Sequence, residues 1–258
     1  MKGKRYKTKE RKKEKKILKN ILVKTILLIF ISIMVFTGIR IFNWLIENKK
    51  SQDILDEISD SISIDENIDS SDKYNINFEN LKQINSETVA WLKVNGTNIE
   101  YPVVKTTNND YYMTHSFDKS HNSAGWAFMD YRNKFDGTDK NIVIYAHNRM
   151  DGSLFGTLKN ILKEDWQNKQ ENLIIPFITE NEKAEYQVFS VYRIEMEDYY
   201  ITTDFKTVNQ FEEFIDTINS RSMKDFGIKV STDDHILTLS TCADNNKYRV
   251  VLHAKKIK

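Results

Sequence analysis

The sequence predicts a mainly β domain with α-helical additions, preceded by one membrane-spanning helix. Three features predict it: a long apolar run near the N-terminus, eight short apolar runs between turn residues beyond residue 74, and helical patterns between only some of those runs. A sheet of repeating βαβ units would need a helix after nearly every strand, so the pattern favours a mixed or antiparallel barrel. A length of 258 residues suits one sizeable domain with appendages.

The first part of the chain is strongly basic. Residues 1–24 contain twelve Lys or Arg and two Glu, whereas the whole chain has a formal net charge of +1. The remaining residues are therefore net acidic, which argues against a nucleic-acid-binding domain. Residues 1–20 are predicted to be a basic cytoplasmic tail.

Residues 21–46 form the predicted membrane anchor, because Lys24 and Arg40 are the only charged residues among them. About 20 helical residues cross a hydrocarbon core of roughly 30 Å. The two basic side chains lie near the ends, where they can snorkel, and Trp44 suits the interface. The basic tail places the N-terminus in the cytoplasm and the rest of the chain outside. No small-x-small motif follows, so an uncleaved anchor is favoured over a cleaved signal peptide.

Residues 47–73 are acidic, rich in Ser and free of aromatic side chains before Tyr74. This composition predicts a solvated tether between the anchor and a folded domain at residues 74–258. A short amphipathic helix is the alternative, and its apolar residues would be Ile54, Leu55, Ile58, Ile62 and Ile64.

Eight strands are predicted in the domain, and Asn95-Gly96 between the first two indicates a hairpin. The strand-like runs are VAWLKV, NIEYPVV, GWAFMDY, NIVIYAH, LIIPFIT, EYQVFSVYRI, HILTLSTC and RVVLHAKK. Helical patterns are FENLKQIN, NDYYMTHSF, SLFGTLKNILKEDW and VNQFEEFIDTINSR, the last one lying before the seventh strand.

The last two runs contain Cys242, the only cysteine of the chain, and Arg249. One cysteine excludes an intrachain disulfide and a Cys-rich metal site. If the runs pair as an antiparallel hairpin with Cys242 opposite Arg249, the thiol and the guanidinium share one face. The cation would favour the thiolate and could donate hydrogen bonds to an oxyanion. A buried, unreactive thiol is the alternative.

A nucleophilic cysteine also needs a group that transfers protons, and His147 is the first candidate. It ends a strand at a polar loop, and strand alternation places Tyr145 on the same face. By position alone, His235 and His253 are competitors. His115 and His121 are predicted to be surface histidines, and neither a metal site nor a cofactor is expected.

The motif TLSTC followed by Arg249, with YAHN upstream, resembles the sortases, which are membrane-anchored cysteine transpeptidases of Gram-positive bacteria. The resemblance covers about residues 74–258. The runs WLKVNGTNIEYPVV, GWAFMDYRN, HNRMDGSLFGTLKN and VNQFEEFIDTINSR are similar to class B. The resemblance implies an eight-stranded sortase-type β-barrel with an N-terminal helix and a helix before the cysteine strand.

The resemblance also implies roles for individual residues. Cys242 matches the nucleophile, His147 the catalytic histidine and Arg249 the catalytic arginine. Asp244 matches an acidic position to which a supporting role is assigned. The expected substrate-binding residues are Tyr145, Ser240 and Thr241.

The implied activity is cleavage of a C-terminal sorting motif after Thr through a thioacyl-enzyme. The acyl group would pass to a peptidoglycan or lipid II amine, so the partners are secreted proteins with a sorting signal and cell-wall precursors. The alternatives are a pilin-polymerising sortase, a cysteine hydrolase and a membrane-tethered binding module without catalysis. An L,D-transpeptidase is disfavoured, because its SHGC-type motif is absent.

Overall fold

The structure is a computed structural model that describes residues 2–68, 70–242 and 247–258, with backbone only for residues 2–12 and Cys242. The loop predicted between Cys242 and Arg249, with Asp244, therefore lies mostly outside the described residues. The chain divides into two compact units, Met1–Lys50 and Ser51–Lys258.

The first unit contains helix α1 (Lys2–Ser59) as far as Lys50, and the last nine residues of this helix belong to the second unit. The part of this helix from Lys13 onward includes a stretch that is long and apolar enough to cross a membrane. Its apolar side chains between Ile17 and Ile46 are largely exposed. Length and composition are therefore compatible with the anchor predicted at residues 21–46.

The segment predicted as a solvated tether is packed over much of its length in the second unit. Residues 51–59 are helical, and Ile54 and Ile58 are buried in the main hydrophobic core. Strands β1 (Ile62–Ile64) and β2 (Tyr74–Ile76) then pair as an antiparallel hairpin. The structure thus has the first part of the amphipathic helix that was the alternative, because side chains four residues apart share one helix face and bury it together. Ile62 and Ile64, which were predicted to belong to the same helix, lie in strand β1 instead.

A closed eight-stranded barrel forms the body of the second unit, which confirms the predicted fold class. Its strands are β3 (Thr88–Val94), β4 (Ile99–Val104), β5 (Phe128–Met129), β6 (Asn141–His147), β7 (Ile174–Thr179), β8 (Lys183–Glu195), β9 (Ile236–Cys242) and β10 (Tyr248–Lys256). Around the barrel the strand order is β10-β8-β7-β3-β4-β5-β6-β9, with parallel pairing for β4–β5 and β6–β9 and antiparallel pairing elsewhere.

Two of the predicted helices are tighter and shorter than expected. The pattern NDYYMTHSF forms only a 3-10 turn at Tyr111–Met113. Its start is held as a loop, because the side-chain oxygen of Asn108 accepts hydrogen bonds from the backbone N–H groups of Asp110 and Tyr111. The pattern SLFGTLKNILKEDW forms a 3-10 helix at Phe155–Leu162 followed by α3 (Glu164–Gln167). The predicted helix before the barrel is α2 (Phe78–Ile84).

Helix α4 (Val208–Ser220) precedes the cysteine strand, as predicted, and covers the outside of the barrel. Thr207 caps it by accepting a hydrogen bond from the backbone N–H of Gln210. Its buried face packs with residues of β8, β9 and β10 in a second hydrophobic cluster. The buried residues of the helix are Phe211, Phe214, Ile215 and Ile218, a spacing typical of one helix face. The helix thereby braces the strand that ends at Cys242.

Candidate active site

The predicted catalytic residues meet at the rim of one open end of the barrel, the edge at which strands β6 and β9 finish. His147 and Cys242 are Cα partners at the ends of the parallel strands β6 and β9. Carboxyl ends of neighbouring parallel strands lie at the same edge of a sheet, about 4.8 Å apart. Strand β10 runs antiparallel to β9 and begins at Tyr248, so Arg249 lies at this edge as well. The topology therefore brings the three backbone positions together.

The predicted register of the C-terminal hairpin is confirmed where both strands are paired. Thr238 faces His253, Leu239 faces Leu252, and Ser240 faces Val251. Continuing this register places Cys242 opposite Arg249. The side chain of Cys242 lies outside the described residues, as does Asp244.

His147 is held by a backbone carbonyl of a neighbouring loop. The residue is 4% exposed, and its Nε2 lies 2.7 Å from the carbonyl oxygen of Met113, at the end of the 3-10 turn. A carbonyl oxygen only accepts, so Nε2 carries the hydrogen and donates it. Nδ1 is then the ring nitrogen that can gain or lose a proton without breaking this bond. The loop thus fixes both the ring orientation and the tautomer.

Gly125 allows this loop to approach the imidazole. Its φ is +66°, and a Cβ atom there would lie 2.5 Å from the carbonyl oxygen of Tyr112 and 2.9 Å from Cδ2 of His147. Both distances are too short for any other residue type. Glycine is therefore required here for backbone conformation and for space.

Arg249 is 6% exposed and keeps its charge at any working pH. Its Cα partner on the other side of β10 is Ile194 in β8. The guanidinium Nη2 donates to Sδ of Met196 at 2.9 Å. A buried cation at the edge where Cys242 ends its strand provides positive potential for a thiolate or an oxyanion.

Tyr145, predicted to contact substrate, is buried and bound to an ion pair. Its hydroxyl donates to Oδ2 of Asp130 at 2.8 Å, and Arg132 donates to both oxygens of that carboxylate. Burial and the negative charge of Asp130 raise the pKa of Tyr145, so the hydroxyl stays a neutral donor. Burial tends to raise the pKa of Asp130, but the hydrogen bonds from Arg132 and Tyr145 outweigh it and lower that pKa.

The other two predicted substrate-binding residues are also buried. The Ser240 hydroxyl forms a 3.1 Å hydrogen bond with the hydroxyl of Tyr200, and Thr241 Oγ1 accepts from the backbone N–H of Val250 at 3.1 Å. The structure therefore places Tyr145, Ser240 and Thr241 beside the catalytic positions, each within buried polar contacts. Their contact with substrate remains a prediction.

Five residues of the site were not singled out from the sequence: Met113, Gly125, Asp130, Arg132 and Tyr200. Three of them lie in the run GWAFMDYRN, which carried part of the family resemblance without an assigned role. Tyr200 lies in the turn Tyr199–Ile201 after β8, where the sequence shows no periodic pattern.

The competing histidines are engaged elsewhere. His253 is fully buried and lies between the hydroxyls of Thr238 and Tyr192, each at 2.8 Å from one ring nitrogen. Burial lowers its pKa to about 3, so it stays neutral in the fold. His235 precedes β9 at the opposite end of the barrel, where Nδ1 donates to the carbonyl oxygen of Asp139. Neither of them lies at the edge that holds Cys242.

A cavity of about 540 Å³ opens at that opposite end and is lined by Phe135, Phe177, Tyr186, His235 and Lys256, among others. It is separate from the catalytic edge, because it lies where β6 and β9 begin. Among the residues with described side chains, no group of three His, Cys, Asp or Glu could hold a metal ion.

The barrel topology and the edge that joins histidine, cysteine and arginine define a class of cysteine acyltransferase. Residues 92–257 match the family model described as "Sortase domain", so the chain belongs to the sortase family. It is a sortase-type transpeptidase.

The curated relatives of this chain are class B sortases. The chain is 33% identical to Sortase B of Listeria monocytogenes over 93% of this chain and 98% of the relative. It is 35% identical to Sortase B of Staphylococcus aureus over 70% of this chain and 75% of the relative. A solved structure of Clostridium perfringens sortase B superposes with a TM-score of 0.65 at 34% identity, covering 70% of this chain and 100% of that one.

Proposed function

We propose that this transpeptidase joins secreted proteins to the cell wall, by cleaving a C-terminal sorting motif after Thr and transferring the new acyl end to a peptidoglycan or lipid II amine. The observation that carries the proposal is the in-register pairing of His147 with Cys242 at the edge where β10 begins, with Arg249 as its second residue. The three residues supply a nucleophile, a proton carrier and a fixed cation.

In the first half-reaction, the Cys242 thiolate attacks the carbonyl carbon of the Thr in the sorting motif. The guanidinium of Arg249 stabilises the negative oxygen of the tetrahedral intermediate. His147 gives its Nδ1 proton to the leaving amine, because its Nε2–H is committed to the carbonyl of Met113. The C–N bond breaks, and a thioacyl-enzyme forms on Cys242.

In the second half-reaction, the acceptor amine attacks the thioester, and His147 takes its proton at Nδ1. Arg249 again stabilises the oxyanion, and the Cys242 thiolate leaves. The amine thus replaces the original leaving group in a new amide bond. Water can act in place of the amine, so exclusion of water favours transfer over hydrolysis.

The proposed location agrees with this reaction. A single-pass anchor at residues 21–46, with the basic tail in the cytoplasm, would hold the catalytic domain at the outer face of the membrane. Secreted substrates and lipid-linked cell-wall precursors both reach this face. The partners are therefore proteins with a sorting signal and cell-wall amines.

The test uses the full chain in detergent micelles with fluorogenic peptides of LPXTG, NPQTN and PPXTG type. The changes Cys242→Ala, His147→Ala and Arg249→Ala should each reduce cleavage by at least about a thousandfold. His235→Ala is the matched control, because this histidine likewise donates a ring N–H to a backbone carbonyl, here from Nδ1 to Asp139, but lies at the opposite end of the barrel. Normal cleavage by the Cys242→Ala chain would exclude the mechanism.

A second measurement separates the alternatives. Mass spectrometry of Cys242 during turnover should detect a thioacyl adduct, which a non-catalytic binding module would not form. Product analysis with a cell-wall amine, a lysine-containing pilin-type peptide or water as the acceptor then distinguishes cell-wall transfer, pilin polymerisation and hydrolysis. The expected result is a faster reaction with the cell-wall amine than with the lysine peptide.

A further inference from the structure

Met196 follows β8 directly and lies beside the guanidinium of Arg249. Its position is set by the sheet, because Ile194 and Glu195 at the end of β8 are the Cα partners of Arg249 and Tyr248. Arg249 Nη2 donates to Met196 Sδ at 2.9 Å. Met196 is 68% exposed, whereas Arg249 is 6% exposed. A solvent-accessible thioether is therefore in direct contact with a buried cation.

We propose that Met196 is an oxidative modification site that regulates the enzyme. Its conversion to the sulfoxide by a two-electron oxidant, such as hydrogen peroxide, lowers activity because the sulfoxide oxygen holds the guanidinium of Arg249 away from the reacting carbonyl. This inference rests on the proposed role of Arg249 as the group that stabilises the oxyanion.

The modification is a simple oxygen transfer. A lone pair on Met196 Sδ attacks one oxygen of hydrogen peroxide, and the O–O bond breaks. Sulfur is oxidised by two electrons and keeps that oxygen, while the other oxygen leaves as water with both protons. Methionine sulfoxide is stable to ordinary thiols and is reversed by methionine sulfoxide reductases. The site is thus suited to a slow, enzymatically reversible change.

The change alters how strongly Met196 holds the guanidinium. A thioether is a weak hydrogen-bond acceptor, so an N–H given to Sδ is released at little cost when an oxyanion forms. A sulfoxide oxygen is a polar acceptor, and hydrogen bonds from a charged donor are strong. The oxidised side chain therefore competes with the oxyanion for the same N–H groups. A loss of about tenfold in kcat is expected from one such competing bond.

Other exposed methionines provide the comparison. Met150 and Met223 are also largely exposed, and oxidants should reach them equally well. In the described part of the chain, their sulfur atoms form no hydrogen bond with His147 or Arg249. Oxidation at these two positions should leave the rate unchanged, so the effect is assigned to the contact and not to exposure.

The experiment protects the thiol first, because Cys242 is also open to oxidation. The full chain in micelles is capped with methyl methanethiosulfonate, treated with hydrogen peroxide, and then uncapped with dithiothreitol, which leaves sulfoxides intact. Peptide mapping by mass spectrometry reports sulfoxide at each methionine, and peptide cleavage gives kcat. Each chain is compared with its own untreated sample: wild type, Met196→Leu and the matched control Met223→Leu.

The wild type and Met223→Leu should lose about tenfold in kcat on oxidation, Met196→Leu should lose none, and methionine sulfoxide reductase should restore the loss. This inference alone is contradicted if the active wild-type chain keeps its kcat with Met196 fully oxidised. It is also contradicted if oxidation lowers the kcat of Met196→Leu as much as that of the wild type. An untreated chain that cleaves no sorting peptide, or an Arg249→Ala chain that cleaves normally, contradicts the proposed function and overturns the inference with it.

Discussion

His147 and His253 have the same imidazole side chain, but their surroundings in the barrel give the two rings different chemical properties. His253 bonds through both ring nitrogens to hydroxyls inside the fold, so protonating it would break a buried contact. Thr238 donates its hydroxyl hydrogen to Asn141, and it therefore accepts from Nδ1–H of His253. His147 commits its Nε2 to a backbone carbonyl, at the edge where a substrate can arrive. Position in the barrel, and not residue type, separates the structural His253 from His147, the proposed proton carrier.

The first prediction concerns Gly125, which we treat as a positioning residue. Gly125→Ala should lower kcat by about ten- to a hundredfold, because the new methyl would press on His147 Cδ2 and Tyr112 O and displace the imidazole. KM should change little, because the change displaces the imidazole and leaves the other residues of the site in place. Steady-state kinetics separates the two constants.

Gly227→Ala is the matched control for this change. Gly227 has a similar φ of +70°, but nothing lies within 4 Å of the position that an alanine Cβ would take, so it carries the same backbone cost without the collision. The left-handed backbone alone should cost both variants about 1 to 2 kcal/mol of stability, and the collision adds to this cost in Gly125→Ala. If Gly227→Ala lowers kcat as much as Gly125→Ala does, contact with the imidazole is not the cause.

The second prediction follows from the buried, neutral His253. Its pKa is lowered to about 3 by burial, from the ordinary value of 6.5 that it regains in the unfolded chain. Below pH 6.5 the unfolded chain therefore binds a proton that the folded chain excludes, and stability falls with falling pH. The slope is about 1.4 kcal/mol per pH unit, which gives a loss of about 2 kcal/mol between pH 7 and pH 5.

Thermal and urea unfolding at pH 7, 6 and 5 measure this slope. His253→Gln retains a donor and an acceptor without a titrating group, so its stability should vary less over this range. His121→Gln, at an exposed histidine, should keep the wild-type slope. An equal slope in all three chains would mean that another group dominates the pH dependence.

At the scale of elements, the turn Tyr199–Ile201 is held to the barrel by side chains that bind its carbonyl oxygens. Arg132 donates to the carbonyl of Ile201, and Asn141 donates to those of Tyr200 and of Thr202, the residue that follows the turn. Tyr200 from the same turn reaches Ser240, two residues before Cys242. The turn is therefore fixed next to the catalytic edge, although its own sequence has no regular pattern.

The third prediction is that Arg132→Leu frees this turn. The change leaves the buried carboxylate of Asp130 without its ion pair and removes the donor to Ile201. Because the arginine side chain is partly exposed, we expect a loss of about 2 kcal/mol rather than the larger cost of a fully buried pair. Amide hydrogen exchange at residues 199–202 should accelerate, and KM should rise more than kcat falls.

The double change Asp130→Asn with Arg132→Leu is the control for charge. The double variant no longer has an unpaired carboxylate, but it still lacks the arginine that donates to the turn. Stability should therefore recover, while amide hydrogen exchange in the turn stays fast. Slow exchange in the single variant would show that the turn is held without Arg132.

What the sequence could predict at this scale depended on local patterns. The eight strands and the register of the C-terminal hairpin followed from alternation and turn residues, and the observed pairing of Ser240 with Val251 agrees with them. The contacts that orient the proposed catalytic groups join distant segments: His147 contacts Met113, 34 residues away, and Arg249 contacts Met196, 53 residues away. The helix and strand periods of the sequence do not predict such contacts, because the contacts form only when the barrel closes.

At the scale of the whole molecule, composition separated the apolar anchor from the folded domain, but it predicted a solvated tether between them. Residues 47–73 are polar enough for a tether, yet a few apolar side chains at helical spacing are sufficient to dock residues 51–59. Ser71 adds a backbone hydrogen bond to Glu185 and a side-chain bond to Lys183. Average composition hides such contacts, since each involves one or two residues in a polar segment.

The last prediction tests whether the folded domain begins before residue 74. A chain that starts at Ser51 should unfold cooperatively, whereas one that starts at Tyr74 lacks Ile54, Ile58 and strand β1 and should be less stable by at least about 3 kcal/mol, the burial energy of two such side chains. Urea unfolding compares them. Ile58→Ala in the longer chain, at a residue 2% exposed, should account for about 2 to 4 kcal/mol by itself. Equal midpoints for the two chains would restore the solvated tether, because docking of the segment would then contribute nothing to the fold.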